Sequence, residues 1–166
     1  GRGKTTVYEY DMFNRLIKVT NAKSEVTGYT YDLEGNMLTQ TNGRAYTRIM
    51  EYNVVNKLKR RIDPGGRSGE PGSYVYNPAK TEEHVYYSDG NLAAKVDRNG
   101  NTTSYEYDSH GRLIYRYDGT QAITFTYDNN GNQLSVTDAS GTTERTYDEL
   151  GRVLTKTVPH IGTIRF

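Results

Sequence analysis

Aromatic and aliphatic residues recur along this chain about every 20 residues, and no stretch keeps the 3.6-residue period of an amphipathic helix. Segments such as TVYEYD, at residues 6–11, are typical of a β-strand that ends in a tyrosine. The steps between copies of this marker tyrosine are 20 or 21 residues, with one step of 34. The copies are Tyr10, Tyr31, Tyr52, Tyr86, Tyr107, Tyr127 and Tyr147. The pattern therefore predicts a repeat of strands.

A turn is predicted directly after each marker tyrosine. The next residue is Asp or Asn in six of the seven copies: Asp11, Asp32, Asn53, Asp108, Asp128 and Asp148. The residue four after the tyrosine is always Asn or Gly: Asn14, Gly35, Asn56, Gly90, Gly111, Gly131 and Gly151. Asn and Gly tolerate positive φ, so the pattern indicates a type I turn closed by a bulge.

This turn predicts which residues face each other in the hairpin that it closes. Tyr10 is expected opposite Leu16 and Tyr107 opposite Leu113, which are aromatic-on-aliphatic pairs that stabilise sheets. The same count predicts the pairs Tyr31–Met37, Tyr52–Leu58, Tyr86–Leu92 and Tyr147–Val153, with Tyr127–Gln133 as the one polar exception.

A second aromatic position lies two residues before the marker, and its members are Tyr8, Tyr29, Tyr105 and Phe125. These side chains are expected on one sheet face, where they could pack across strands or form a platform for sugars. Their expected partners, Lys18, Thr39 and Tyr115, do not recur as a type, which favours packing. A narrower apolar row is expected on the opposite face, at Ile17, Leu38, Lys59, Ala93, Ile114, Leu134 and Leu154.

Second turns are predicted about eleven residues after the markers, at Asp97–Gly100 and Asp138–Gly141. Shorter two-residue hairpin loops are expected at Asn42-Gly43 and Asp118-Gly119, and another second turn at Gly3. Each repeat then consists of two strands and two turns, which gives about fourteen antiparallel strands. The predicted fold is all-β: a repeat array of antiparallel β-hairpins that forms one long curved or spiralling sheet.

The long step contains a Pro- and Gly-rich stretch, from which an irregular loop near residues 64–76 is expected. Since the repeat resumes in phase afterwards, we expect residues 1–166 to form one array of about seven repeats. Because both ends interrupt the period, the array is expected to be a piece of a larger protein.

Composition excludes several classes of function. Hydrophobic residues make up 34% and the mean hydropathy is −0.85, so the core must be thin. The net charge is +1 without a basic stripe, which argues against nucleic acid as a partner, and no apolar run is long enough to span a membrane. There is no cysteine, and the three histidines are scattered. We therefore expect no enzyme, and nominate no catalytic, cofactor-binding or metal-binding residue.

The repeated Tyr-Asp-x-x-Gly-[Asn/Arg]-Leu, over residues 7–157, resembles the YD-repeat, or Rhs-repeat, family. This family includes bacterial Rhs and wall-associated polymorphic toxins, insecticidal toxin complexes and animal teneurins. The resemblance implies a sheet that spirals into a hollow shell, which in the toxins encloses a toxic C-terminal polypeptide and in teneurins serves adhesion. It also implies a secreted or bacterial cell-surface location.

The expected function is thus structural: a shell segment whose partners are the flanking repeats and an enclosed C-terminal polypeptide of the same protein. The alternative is a carbohydrate-binding or adhesion module that uses the Tyr-rich face for a cell-surface glycan. Because both terminal strands leave one edge unpaired, the isolated fragment is expected to self-associate through its sheet edges.

Overall fold

A computed structural model describes residues 5–65 and 67–166, and these are almost entirely β-structure. Fifteen strands form one antiparallel sheet in chain order, and two short strands form a separate hairpin. The strands of the large sheet are β1 (Val7–Tyr10), β2 (Leu16–Thr20), β3 (Val26–Tyr31), β4 (Met37–Thr41), β5 (Thr47–Tyr52), β6 (Leu58–Ile62), β9 (Thr81–Tyr86), β10 (Leu92–Val96), β11 (Thr102–Tyr107), β12 (Leu113–Tyr117), β13 (Ala122–Tyr127), β14 (Gln133–Asp138), β15 (Gly141–Tyr147), β16 (Val153–Val158) and β17 (Gly162–Arg165). The all-β antiparallel array is confirmed, and β17 brings the sheet to one strand more than the expected fourteen.

The predicted first turns are present in the structure. In the first copy the N–H of Asn14 donates to the carbonyl of Asp11 at 3.0 Å, and Asn14 has a φ of 60°. The fourth residue has positive φ in all seven copies, from 60° at Asn56 to 91° at Gly35. The predicted pairs Tyr10–Leu16 and Tyr107–Leu113 are also found. So are the pairs of Tyr31, Tyr52, Tyr127 and Tyr147.

One residue further from the turn, the predicted register is wrong. A β-bulge follows the marker pair in six hairpins, and in the first of them Glu9 faces Lys18 and not Ile17. Tyr8 consequently faces Val19 instead of the expected Lys18. The same shift occurs in the hairpins led by Tyr31, Tyr52, Tyr107, Tyr127 and Tyr147. In each of these hairpins the extra residue of the bulge belongs to the row that was expected to be apolar on the opposite face. These bulge residues are Ile17, Leu38, Lys59, Ile114, Leu134 and Leu154. A bulge inserts one residue into one strand, which breaks the simple alternation of faces.

The second turns agree with prediction only in part. Asp97–Gly100 closes as expected, with Gly100 at a φ of 82°. The two-residue loop expected at Asn42-Gly43 is wrong, because the turn runs to Ala45, which takes the positive φ of 60°. The two-residue loop expected at Asp118-Gly119 is off by one residue, because the N–H of Asp118 donates to the carbonyl of Gln121 and the enclosed loop is Gly119-Thr120. The second turn expected at Gly3 lies outside the described residues.

The stretch expected as an irregular loop near residues 64–76 contains a small hairpin, apart from Gly66, which is not described. Strands β7 (Arg67–Ser68) and β8 (Val75–Tyr76) pair with each other, and a 3₁₀ turn follows at Pro78–Lys80. Arg67 Nη1 donates to Glu51 of β5 at 3.0 Å, and the hydroxyl of Tyr76 donates to the same carboxylate at 2.9 Å. The hairpin therefore packs on the sheet, while β6 pairs directly with β9.

The chain divides into two compact units. The first runs to His84 and includes Val96–Gly100, and the second consists of Val85–Lys95 and Asn101–Phe166. In the described part of the first unit, the buried hydrophobic side chains are Met50 and Ile62, so its core is thin, as composition predicts. No helix in the described residues is long and apolar enough to cross a membrane.

Candidate functional site: the repeated wall and its tyrosine face

The aspartate that follows a marker tyrosine holds its turn through both carboxylate oxygens. In the first copy Asp11 Oδ1 accepts the N–H groups of Phe13 and Arg15, each at 2.9 Å. Its Oδ2 accepts Nε of Arg15 at 2.7 Å. The backbone hydrogen bond from Arg15, together with the guanidinium, lowers the pKa of Asp11 below its ordinary value, against a smaller effect of desolvation. Asp108 has the same bonds from Arg112, and its pKa is lowered for the same reason. The ionised carboxylate is therefore the form that closes the turn.

The arginine of such a turn also contacts the next repeat. Arg15 Nη1 donates to the backbone carbonyl of Asp32 at 2.7 Å, and its guanidinium lies 4.9 Å from the ring centroid of Tyr31. Arg112 repeats this arrangement, with 2.7 Å to the carbonyl of Asp128 and 4.9 Å to the following marker ring. Each arginine thus links two consecutive turns through a charge-assisted hydrogen bond and a cation–π contact.

Asparagine stands in place of arginine at the same position in three other turns, at Asn36, Asn91 and Asn132. Asn36 Nδ2 donates to Asp32 Oδ2 at 2.8 Å and to Oδ1 of Asn56, in the next turn, at 2.9 Å. Asn132 Nδ2 likewise donates to Asp128 Oδ2 at 2.8 Å. At Asn36 the link between turns is kept, although the charge is lost.

The marker tyrosines make a second link, which runs in the reverse direction. At four markers the hydroxyl donates to the carbonyl of the residue that pairs with the preceding marker, directly beside its bulge. The bonds are Tyr31 to Leu16 at 2.7 Å, Tyr52 to Met37 at 3.0 Å, Tyr127 to Leu113 at 2.9 Å and Tyr147 to Gln133 at 2.8 Å. Sequence reasoning assigned these rings to cross-strand packing and missed the role of the hydroxyl. The sequence feature that points to this role is that all seven markers are Tyr and none is Phe.

The fourth copy has Tyr87 where the other copies have Asp or Asn, and its turn is held differently. The N–H of Tyr87 donates to the carbonyl of Asn91 at 2.9 Å, while Asp89 Oδ1 accepts the N–H of Asn91. The hydroxyl of Tyr87 donates to the carbonyl of Tyr105 at 3.0 Å, and its ring meets that of Tyr107 edge-on. The turn keeps its backbone bonds, and the tyrosine supplies the contact with the next repeat.

The possible ligand face consists of Tyr8, Tyr29, Tyr105 and Phe125, which share a sheet face with the marker tyrosines. Tyr8 is 56% exposed, and the other three are half-buried. The bulge changes their partners: Tyr8 faces Val19, Tyr29 faces Gln40, Tyr105 faces Arg116 and Phe125 faces Val136. The partners expected from the sequence, Lys18, Thr39 and Tyr115, were wrong because of the extra residue. The corrected partners do not repeat a polar type either, so a ligand role for this face stays a prediction.

The opposite face carries pairs of polar residues. Hydroxyl groups meet at 2.6 Å between Thr30 and Thr39 and between Thr146 and Thr155. A salt bridge of 2.7 Å joins Lys18 to Glu9 at the equivalent place. In the described residues no group of three or more His, Cys, Asp or Glu could hold a metal ion. These polar pairs thus join the two strands within a hairpin.

Fold and contacts together define a class of protein: a wall of antiparallel hairpins in which tyrosine hydroxyls join neighbouring repeats at four junctions and a turn side chain adds a second link at three of them. The family model described as teneurin YD-shell matches residues 1–124 and 91–159. The chain belongs to this YD-repeat family.

Curated relatives are toxins and nucleases of much greater length. The chain is 31% identical over 157 residues to double-stranded DNA deaminase toxin A of Burkholderia cenocepacia, a match that covers 92% of this chain and 10% of that protein. It is 33% identical over 148 residues to the tRNA nuclease WapA of Bacillus subtilis, covering 83% of this chain and 6% of the relative. The chain therefore spans about a tenth or less of the curated relatives that it matches.

Solved toxin structures share the fold. The Tc holotoxin pore of Photorhabdus luminescens matches with a TM-score of 0.61 and 20% identity, over 79% of this chain and 7% of that chain. A TcdB2–TccC3–TEV structure matches with a TM-score of 0.56 and 15% identity, over 96% of this chain and 11% of that chain. At these identities the likeness shows the fold alone. The sheet of this chain is thus one that also occurs within toxin complexes.

Proposed function

We propose that this chain is a wall segment of a larger shell that encloses a C-terminal polypeptide of the same protein, in a secreted or cell-surface bacterial toxin. The observation that carries the proposal is the double link between consecutive repeats. The Arg15–Asp32 bond and the Tyr31–Leu16 bond both join neighbouring hairpins. A wall needs this kind of contact, whereas a catalytic or binding module needs polar groups that converge on a ligand.

Two further observations support the proposal. The chain matches about a tenth or less of toxins whose named activities are deamination and tRNA cleavage, so a segment without its own chemistry fits within them. The alternative function, adhesion through the face of Tyr8, Tyr29, Tyr105 and Phe125, has less support, because the polar neighbours of these rings differ from repeat to repeat.

Enclosure is tested by limited proteolysis of the full-length protein that contains this chain. Two turn glycines with positive φ, Gly111 and Gly131, are both replaced by valine to break the wall, and Ser109→Val at an exposed turn position is the matched control. Cleavage of the C-terminal polypeptide is followed by mass spectrometry.

We expect slow cleavage in the parent and in the Ser109→Val control, and fast cleavage in the double glycine variant. Equally fast cleavage of the C-terminal polypeptide in all three proteins would mean that the wall encloses nothing.

A further inference from the structure

A cavity of about 750 Å³ in the first unit plays no part in the repeated contacts. Its lining includes Arg48 of β5, Asp63 after β6, Lys80 at the end of the 3₁₀ turn and Arg98 in the second turn Asp97–Gly100. Its volume lies within the range of about 300–1,000 Å³ that is typical of ligand sites. The cavity is therefore large enough to be considered as a site.

Positive charge is concentrated in this cavity. Asp63 is the carboxylate of the lining, and it is shared: Oδ1 accepts Nε of Arg48 at 2.9 Å and Oδ2 accepts Nη2 of Arg98 at 3.0 Å. Lys80 Nζ donates to the carbonyl of Pro64 at 2.9 Å. Three cations around one carboxylate leave an excess of two positive charges, although the whole chain has a net charge of only +1. The cavity is thus suited to an anion.

The shared carboxylate also orients the guanidinium groups. Arg48 uses Nε for Asp63, which leaves its two Nη groups in the planar arrangement that binds a second carboxylate in bidentate fashion. Its side chain is 42% exposed, and that of Arg98 is 36% exposed. The donors are therefore held in place and still reachable from solvent.

Amide side chains line the same cavity beside these cations. Gln40 lies directly opposite Arg48 in the β4–β5 pair, and Asn42 follows it two residues later. Asn42 Oδ1 accepts the backbone N–H groups of Arg44 and Tyr46, so Nδ2 is its donor toward a ligand. Asn42 directly follows the last residue of β4, and positions two apart on a strand lie about 6.4–6.8 Å from each other, which is also the spacing of equivalent groups along an extended polypeptide.

We propose that this cavity binds an acidic segment of polypeptide in an extended conformation. Its Asp or Glu carboxylates would bind Arg48 and Lys80, and its backbone carbonyls would accept from the amides of Gln40 and Asn42. Nucleic acid fits less well, because a phosphate backbone requires many cations along its length, whereas the whole chain has a net charge of only +1. The inference goes beyond the proposed function, since it is tested on the isolated chain and does not depend on enclosure.

The test is fluorescence anisotropy with a labelled oligoglutamate peptide, and with oligoglutamine and oligolysine of equal length for comparison. We expect oligoglutamate alone to bind, with an affinity that falls as salt is added. Lys80→Met should weaken binding about two- to fivefold, as expected for an exposed charge pair. Lys80→Met together with Arg48→Met should weaken it by about tenfold or more. Lys23→Met removes the same charge from another second turn, where the lysine side chain is exposed, and should leave binding unchanged.

Melting curves show whether each variant folds, and Lys80→Met serves as the decisive variant because it leaves both Asp63 pairs intact. Three results would overturn the inference. They are an absence of oligoglutamate binding, an equal loss of affinity in Lys23→Met, and tighter binding of a polyuronate or an oligonucleotide than of oligoglutamate.

Discussion

Replacing Tyr127 by phenylalanine removes one hydroxyl from the wall and keeps the ring. The hydroxyl donates to the carbonyl of Leu113 at 2.9 Å, next to the bulge of the preceding hairpin. The ring contact with the guanidinium of Arg112, at 4.9 Å, does not require the hydroxyl. The substitution therefore isolates one of the two links between these repeats.

The expected cost follows from the net value of one hydrogen bond, about 0.5–1.5 kcal/mol. Tyr127 is half-buried, so water reaches the freed carbonyl only in part, and we expect a loss near the middle of that range, about 1 kcal/mol. For a chain of this size such a loss corresponds to a decrease of roughly 2–4 °C in melting temperature.

Thermal unfolding followed by circular dichroism measures this change, and Tyr105→Phe is the matched control. Tyr105 lies on the same face, but its hydroxyl makes no hydrogen bond within the described residues. We expect the control to unfold within about 1 °C of the parent. Equal melting temperatures for Tyr127→Phe and the parent, or an equal decrease in both variants, would refute a stabilising role for the hydroxyl.

Three other predictions concern single positions. In urea unfolding, Gly111→Val should lower the free energy of unfolding by about 1–3 kcal/mol, because Gly111 has a φ of +74°, and Ser109→Val should lower it little. Gly111→Asn should lower it less than Gly111→Val, since asparagine adopts this conformation in two other copies. Hydrogen bonds from the Thr120 side chain and from nearby backbone N–H groups lower the pKa of Asp118 to about 2. The stabilisation by the Asp118 carboxylate should therefore be complete above about pH 4 and disappear as the pH falls toward 2. Asp118→Asn should abolish this part of the pH dependence in melting curves. A glycan array should give no hit, and a reproducible hit that a folded Tyr105→Ala variant loses would favour adhesion instead.

The turns and the marker pairs could be predicted because residue type alone determines them. A positive φ at the fourth turn position selects Gly or Asn, and that requirement is visible at Gly111 as at Asn14. The same rule fails at Ser24 and Ala45, which adopt positive φ without the expected residue type. Their turns close around Asn21 and Asn42, whose side chains accept backbone N–H groups, so the first residue of the turn outweighs the fourth.

Two features had no local signal. The bulge residue is Ile17 in one hairpin and Lys59 in another, so its residue type does not predict the bulge. The bulge is visible only in the register of the paired strands. The cavity joins Arg48 to Arg98 through Asp63, over a separation of fifty residues that includes the insertion. Contacts of that kind depend on how the extra segment is accommodated, which a count of repeat positions does not describe.

The two links between repeats have a consequence for how the length of such a wall can change. At four junctions a hairpin accepts a tyrosine hydroxyl from the hairpin that follows it, and at two of these an arginine donates to the following turn. The same groups are hydrogen-bonded at each junction of this kind. The bonds are therefore not specific for one particular pair of copies. Gain or loss of a whole unit of about 20 residues among these junctions therefore restores a junction of the same kind, whereas gain or loss of a few residues breaks the nearest one. Duplication and deletion of entire units are then the tolerated changes, and the span of the wall becomes a matter of copy number.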